Sequence, residues 1–309
     1  MAEASVSDQV ARARDAAMVL VRTGVTVFRV GGSDRQTWLN GLVTCELAKS
    51  KAGDAVYGLA VEKKGKVMAD LEVILGVDHA FLVVDTSAAD AVAETFEHHL
   101  VMEDAELERT SDAFVAVSLH GPSSTALLER ARAAGAEGGV LDRTGLGGAI
   151  FVVPTAKADA ILADLESSGG VRGTDAGWDA LRLERGVPRF GVDFDGTTYP
   201  QEAGLEKTAI SFSKGCYLGQ EVVCMLELRG HVKRRLATLH VDGDVPARGL
   251  ELFDGEGKSV GQITSAAYSP TRDAILALGM VKIANGAEGA RIHVGAKDGP
   301  AATVVVASA

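Results

Sequence analysis

The segment Val83-Val84-Asp85-Thr86-Ser87-Ala88-Ala89-Asp90-Ala91 returns as Val152-Val153-Pro154-Thr155-Ala156-Lys157-Ala158-Asp159-Ala160, with six of nine positions identical. Each copy runs from a β-branched apolar pair into an Ala-rich stretch, which is how a strand feeding a helix reads. A second echo relates Val30-Gly31-Gly32-Ser33, ahead of a helix carrying Leu39, to Leu119-His120-Gly121-Pro122, ahead of one carrying Leu128. The echoes lie 69 and 89 residues apart. A duplicated plan therefore needs extra chain in its first copy, and the hairpin from Lys51 to Gly76 is the segment to supply it. Two readings stand: duplication of one α/β unit, or chance similarity between two Ala-rich strand-to-helix units.

The local pattern predicts a helix from Asp8 to Arg22 and a strand from Thr26 to Val30, with Ser33 or Asp34 capping a helix through Trp38, Leu39 and Leu42. Ala55 to Val61 and Val67 to Leu75 read as strands joined at Lys63-Lys64-Gly65-Lys66. Phe81 to Val84 reads as a strand before a helix from Ser87 to Leu100. From His231 onward helical periodicity disappears. Arg235 to Val241, Glu251 to Phe253, Ser259 to Ala266, Ile275 to Val281, Ala290 to Val294 and Ala302 to Val306 are short strands between Gly-rich turns. That texture predicts a small β-barrel or sandwich after an α+β body. A length of 309 residues suits one large domain with a smaller one.

A formal charge of -11 argues against a broad nucleic-acid-binding face. The basic run His231, Lys233, Arg234 and Arg235 reads as a strand-edge cluster or a small anion site. The apolar run Ala16 to Val21 is too short to span a bilayer, and the expected location is cytoplasmic with no membrane partner. Cys45, Cys216 and Cys224 are too few for a disulfide framework, and the adjacent His98 and His99 point apart on a helix, so no resident metal is expected.

One stretch gathers reactive groups. Lys214-Gly215-Cys216-Tyr217-Leu218-Gly219-Gln220-Glu221 sets a lysine, a thiol, a phenol, an amide and a carboxylate around two glycines. It reads either as a tight turn presenting chemistry or as a loop whose Cys216 and Tyr217 pack inward.

This octapeptide follows Trp178 to Pro188 (with Arg182-Leu183-Glu184-Arg185-Gly186) and Tyr199 to Leu205 in order and spacing that resemble the folate-binding superfamily of glycine-cleavage T-protein, or aminomethyltransferase. Its pattern K-G-C-[YF]-x-G-Q-E resembles more narrowly the YgfZ branch, whose members bind folate and serve iron–sulfur cluster assembly or repair. Phe28 to Leu47, with Thr44, resembles the family's opening strand and helix. Ala55 to Val73, with Asp70, resembles its hairpin, and Val260 to Leu278 its C-terminal barrel. The resemblance implies an α+β fold: an aminomethyltransferase-like folate-binding body over 1–230, made of two duplicated α/β halves (about 24–110 and 111–230), and a barrel over 231–309.

The resemblance also implies roles. Glu184 is the carboxylate that accepts hydrogen bonds from a pterin edge, and Arg182 organises that site; the alternatives are an exposed helix-end carboxylate and an interior salt bridge. Asp70 matches the catalytic aspartate near the folate nitrogens; the alternative is a solvated strand-end residue. Where the family often shows two aspartates in a row, the first is replaced by Ala69, which leaves one carboxylate for the site. Lys214 and Tyr217 are candidate folate contacts, and Lys214 is also the cation expected to activate Cys216 for transfer or redox sensing. One thiolate alone holds no cluster, and Met225 stands where many YgfZ-like members carry an arginine. The expected function is a tetrahydrofolate-binding accessory protein for iron–sulfur cluster assembly or repair, with iron–sulfur client or assembly proteins as partners. The alternative is a tetrahydrofolate-dependent aminomethyltransferase or demethylase.

Overall fold

The computed structural model describes residues 4–230 and 232–305; His231 of the basic run and Val306 of the last expected strand lie outside the described residues. Helix α1 (Val6–Asp15) starts at Ser5, whose hydroxyl accepts from the Asp8 amide. The helix expected to reach Arg22 stops here, and Ala17–Val21 is strand β1. A short run of apolar residues, buried at all positions but Val21, carries no period that separates helix from strand, and β1 owes its form to the strands on either side of it.

Next come β2 (Val25–Gly31), α2 (Arg35–Asn40), β3 (Ala55–Val61), β4 (Val67–Leu75), β5 (Ala80–Asp85), α3 (Ala89–His98) and β6 (Glu106–Arg109). Their strands form an antiparallel sheet in the order β3-β4-β5-β2-β6. The expected cap of α2 is not made, and Leu42 lies beyond the helix end. Asp34 instead accepts from the Asp104 amide while Ser33 donates to the Asp104 carboxylate, so both residues tie the helix start to the segment before β6.

The chain then repeats the plan with β7 (Phe114–His120), α4 (Ser124–Ala133), β8 (Glu137–Val140), β9 (Gly148–Pro154), α5 (Thr155–Ser167) and β10 (Gly170–Arg172). The second sheet has the order β10-β1-β7-β9-β8. The runs β4-β5-β2 and β8-β9-β7 correspond, each with a helix after its first and its last strand in chain order. The sequence echo is thus a duplicated topology. The extra chain is β3 with its lead-in and not the whole hairpin, because β4 holds the place in its sheet that β8 holds in the other.

The sheets pack back to back through Val27, Ile74, Phe81 and Val83 on one side and Ala116, Ile150 and Val152 on the other. Burying each Val, Ile or Phe of this set stabilises by about 1.5–3 kcal/mol. The outer face of the second sheet is covered by α4 and α5. That of the first is covered by α2, α3 and the turn-rich segment 185–219, which contributes Phe190, Phe194, Leu205 and Tyr217. Before that segment, α6 (Asp175–Glu184) packs on α1 and sets Leu183 against Leu276 and Leu278 of the C-terminal unit. After it comes α7 (Gln220–Arg229), of which only Val223 is buried. Strands β11 (Arg234–Val241), β12 (Glu251–Phe253), β13 (Ser259–Ser269), β14 (Ala274–Lys282), β15 (Arg291–Val294) and β16 (Ala301–Val305) close a barrel in the order β11-β14-β13-β12-β15-β16, with β16 pairing back onto β11. Among the described residues no helix is long and apolar enough to cross a membrane.

Candidate functional site

Alternation along β4 decides what the site contains. Val67, Ala69, Leu71 and Val73 face the core under α2 and α3, while Asp70, Glu72 and Ile74 face the layer between the two sheets. Ala69 is therefore not a carboxylate lost from the site: an aspartate there would point into apolar core. The second acidic group is Glu72, two residues along on the same face and only 5% exposed. It pairs with Arg22 at 3.0 Å, and with Arg143 at 3.8 Å.

Asp70 accepts a hydrogen bond from the Tyr57 hydroxyl at 3.0 Å, across the hairpin, and Arg143 stacks over the Tyr57 ring at 3.4 Å. Burial pushes the Asp70 carboxyl up to about 6, an effect the Arg143 charge opposes and the Glu72 charge adds to. Burial likewise raises the Tyr57 phenol well above its ordinary range, so Tyr57 remains a donor. Strand β7 presents Ser118 and His120 to the same layer, and the His120 ring stacks on Trp178 of α6 at 4.3 Å.

Two cavities adjoin here. The smaller, about 70 Å³, is walled by Asp70, Glu72, Arg22, His120 and Trp178. The larger, about 490 Å³, lies between the body and the barrel against Tyr57, Arg185, Thr208, Arg235 and Leu278. Arg143, Leu141, Val187 and Pro188 line both. The larger has the size of a small-molecule site.

The octapeptide is built differently from the expectation. Lys214 is only 7% exposed, and its ammonium donates to the carbonyls of Asn40, Val43 and Cys45 at 2.7, 2.8 and 2.6 Å. Burial lowers its pKa to about 8. Lys214 is thus a clamp on the loop after α2, and the thiol it meets is buried Cys45, not Cys216; desolvation pushes Cys45 up to about 12. Tyr217 is packed in the first core with its hydroxyl unpartnered, and its pKa is raised by burial. Gly219, at φ +77, has backbone of the β3–β4 turn where a side chain would stand: a Cβ would lie 2.4 Å from the Glu62 carbonyl oxygen. Cys216 is exposed on this anchored turn, and Met225 is half exposed on α7. Neither Lys214 nor Tyr217 lines the two cavities.

Glu184 is fully buried and does not line either cavity. One oxygen pairs with Arg14 at 2.7 Å; the other accepts from Ser269 at 2.5 Å and from the Thr271 amide at 3.2 Å. Burial by itself would raise its pKa, yet these bonds hold it below the ordinary carboxylate value. In place of a pterin edge, Glu184 binds α1 and the barrel. Arg182 is the interior ion pair that stood as its alternative, bonded to Asp179 at 2.5 Å and Asp193 at 2.7 Å; Asp193 in turn accepts from Thr264 and Ser265 of the barrel. Thr44 is a buried link as well, donating to the Ala209 carbonyl and accepting from the Leu59 amide. The arginines of the basic run face carboxylates, Arg234 with Glu202 and Arg235 with Glu206.

Residues 2–137 match the GCVT N-terminal domain family, and residues 234–309 match the glycine cleavage T-protein C-terminal barrel domain. An aminomethyltransferase of Thermotoga neapolitana is 30% identical over 296 residues, covering 85% of this chain and 80% of the relative. The chain belongs to the glycine-cleavage T-protein (aminomethyltransferase) family. An aminomethyltransferase of Nostoc sp. is 27% identical over 304 residues, 90% of this chain and 80% of its own length. The solved structure of glycine cleavage system aminomethyltransferase T from Bartonella henselae shares the fold, with a TM-score of 0.83 over 97% of this chain and 88% of that one at 22% identity. These matches establish the T-protein family; the finer likeness to its YgfZ branch rests on the octapeptide. Within this family fold the sequence pointed to Asp70 and missed Glu72, Tyr57, Arg22, Arg143, His120 and Trp178. Glu72 and Tyr57 were within reach: one shares the strand face of Asp70, and the other is its diagonal neighbour in the hairpin register.

Proposed function

We propose that this chain is a tetrahydrofolate-dependent one-carbon transferase of the aminomethyltransferase type, with reduced folate in the larger cavity and its reacting edge at Asp70. The observation that carries this reading is the Tyr57–Asp70 hydrogen bond at the seam of the two cavities, with Arg143 lining both. The larger cavity fits the group in size, and the seam offers one carboxylate, one phenol and one guanidinium. When bound, tetrahydrofolate supplies the pair of nitrogens that takes up a one-carbon unit. Asp70, poised at about 6, accepts a proton from an amine at neutral pH and returns it. Tyr57 fixes the direction of that carboxylate, and the Arg22–Glu72–Arg143 group keeps positive charge beside it without neutralising it. Incubation with tetrahydrofolate and an aminomethyl donor, whose carbon is already at the oxidation level of formaldehyde, should give methylenetetrahydrofolate with release of ammonia, and Asp70→Asn should abolish it. Wild-type protein that makes no folate product with any donor would count heavily against the proposal.

A second reading has its own observation. Exposed Cys216, held on a turn that Lys214 clamps from below, supports a folate-binding accessory role of the YgfZ kind for iron–sulfur clients or assembly proteins. Deletion of the gene should then depress iron–sulfur enzymes, and a Cys216→Ala protein should fail to restore them. Full restoration removes the thiol from any such role.

A further inference from the structure

His120 is a buried polar group of the smaller cavity that the proposed chemistry leaves unused. It ends β7 and is 4% exposed. Its Nε2 lies 3.0 Å from the Ser118 hydroxyl, its ring is stacked on Trp178 with 19° between planes, and its Nδ1 is buried with no hydrogen-bond partner. Leaving such an atom unpaired is costly, and native proteins keep few of them without a use. Stacking on Trp178 sets the plane of the ring, and Ser118 holds its other nitrogen.

The surroundings decide what kind of group it is. Burial and the charges of Arg22 and Arg143 lower its pKa to about 3, so the imidazole is neutral at working pH and serves as a hydrogen-bond partner, not as an acid. The Ser118 hydroxyl either donates or accepts, so both neutral tautomers are open, and Nδ1 suits an oxygen or an N–H on whatever enters. Asp70 lines the same cavity.

We propose that His120 is a ligand-facing residue of this cavity, its Nδ1 bonding the polar edge of the reduced folate that carries the one-carbon unit. The inference rests on the folate reading above. Ser118 and Trp178 are then positioning residues that aim the ring. The bond gives the small cavity a means to tell a substituted folate from one whose edge lacks a polar atom at that point.

The test is calorimetric titration of the full chain with 5-formyltetrahydrofolate, on wild type, His120→Phe and His120→Gln. His120→Phe keeps the stack on Trp178 and removes both nitrogens. Its affinity should fall about three- to tenfold, its melting temperature should change little because one unpaired buried atom is gone while the Ser118 hydroxyl loses its partner, and His120→Gln should recover part of the affinity. In the wild type, the Nδ1 resonance of His120 should show a 15N shift on adding the same ligand. That reading stands even where a variant does not fold. Equal affinities for wild type and folded His120→Phe, or an unmoved Nδ1 resonance at saturation, overturn the role of His120 alone. No binding by the wild type overturns the folate reading and this inference with it.

Discussion

Replacing Asp70 by asparagine should make the protein more stable and inactive, and the structure sets the size and pH dependence of the gain. The carboxyl lies at about 6 against an ordinary 3.8 because burial disfavours its charge. At 1.36 kcal/mol per pH unit, that rise corresponds to about 3 kcal/mol of disfavoured charge in the folded state. Relaxation around the charge reduces what is recovered, so a gain of about 1–3 kcal/mol is expected at pH 8. Asparagine is nearly isosteric, and its carbonyl still accepts from Tyr57, so no bond is lost. The sign follows from linkage. Between pH 3.8 and about 6 the folded chain binds more protons than the unfolded chain, so this group costs stability as pH rises through that window. The advantage of Asp70→Asn over wild type should therefore be absent near pH 4, grow through pH 5 and level off above pH 6. Paired urea melts of the two proteins at pH 4, 5, 6 and 8 measure it. A variant less stable than wild type at pH 8, or an advantage equal at pH 4 and 8, refutes the burial argument whatever the activity does.

Lys214→Met should destabilise by about 2–4 kcal/mol, since three buried carbonyls lose one charged donor, and the urea midpoint measures it. In native protein a thiol reagent should modify Cys216 first and Cys224 next, with Cys45 protected until unfolding; mass mapping of the labelled peptides checks the order, and early labelling of Cys45 contradicts its burial. Glu184→Gln should weaken the seat of the barrel on the body by about 3 kcal/mol at pH 7 by leaving Arg14 without its carboxylate. Because its folded pKa is lowered, the wild-type contribution is full above the unfolded value of 4.5 and fades as pH falls through the folded one, so the difference between the two proteins should shrink in acid.

The fold was legible where one chemical pattern admits one structure. Both strands of the first hairpin fall where alternation put them, at Ala55–Val61 and Val67–Leu75, and the six barrel strands fall between their Gly-rich turns. Ala17–Val21 was not legible as a strand, because its form is set by β7 and β10, which lie some 100 and 150 residues away in the chain. The echo gave the duplication, yet only the pairing of β4 with β5 shows that β3 is the added strand.

The site was less legible because its parts come from different strands and its most suggestive residues serve another purpose. Glu184, Arg182, Lys214 and Thr44 are polar groups buried at the joints between units, and each is satisfied where it stands. A sequence pattern shared with a ligand-binding family marks such joints as readily as it marks ligand contacts, since a three-body fold must keep both. What separates Asp70 and His120 from these four is the state of their polar atoms together with their place on a cavity wall. Joint residues have their bonds made within the chain, whereas Asp70 is held with its charge disfavoured and His120 with a nitrogen unpaired, both on the wall of one cavity. Such unmet demands cost stability, and they are tolerated here where a bound molecule would relieve them. On the proposed function the reactive centre lies between the two sheets, and the octapeptide from Lys214 to Glu221 is the brace that holds the segment beside it while leaving one thiol in solvent.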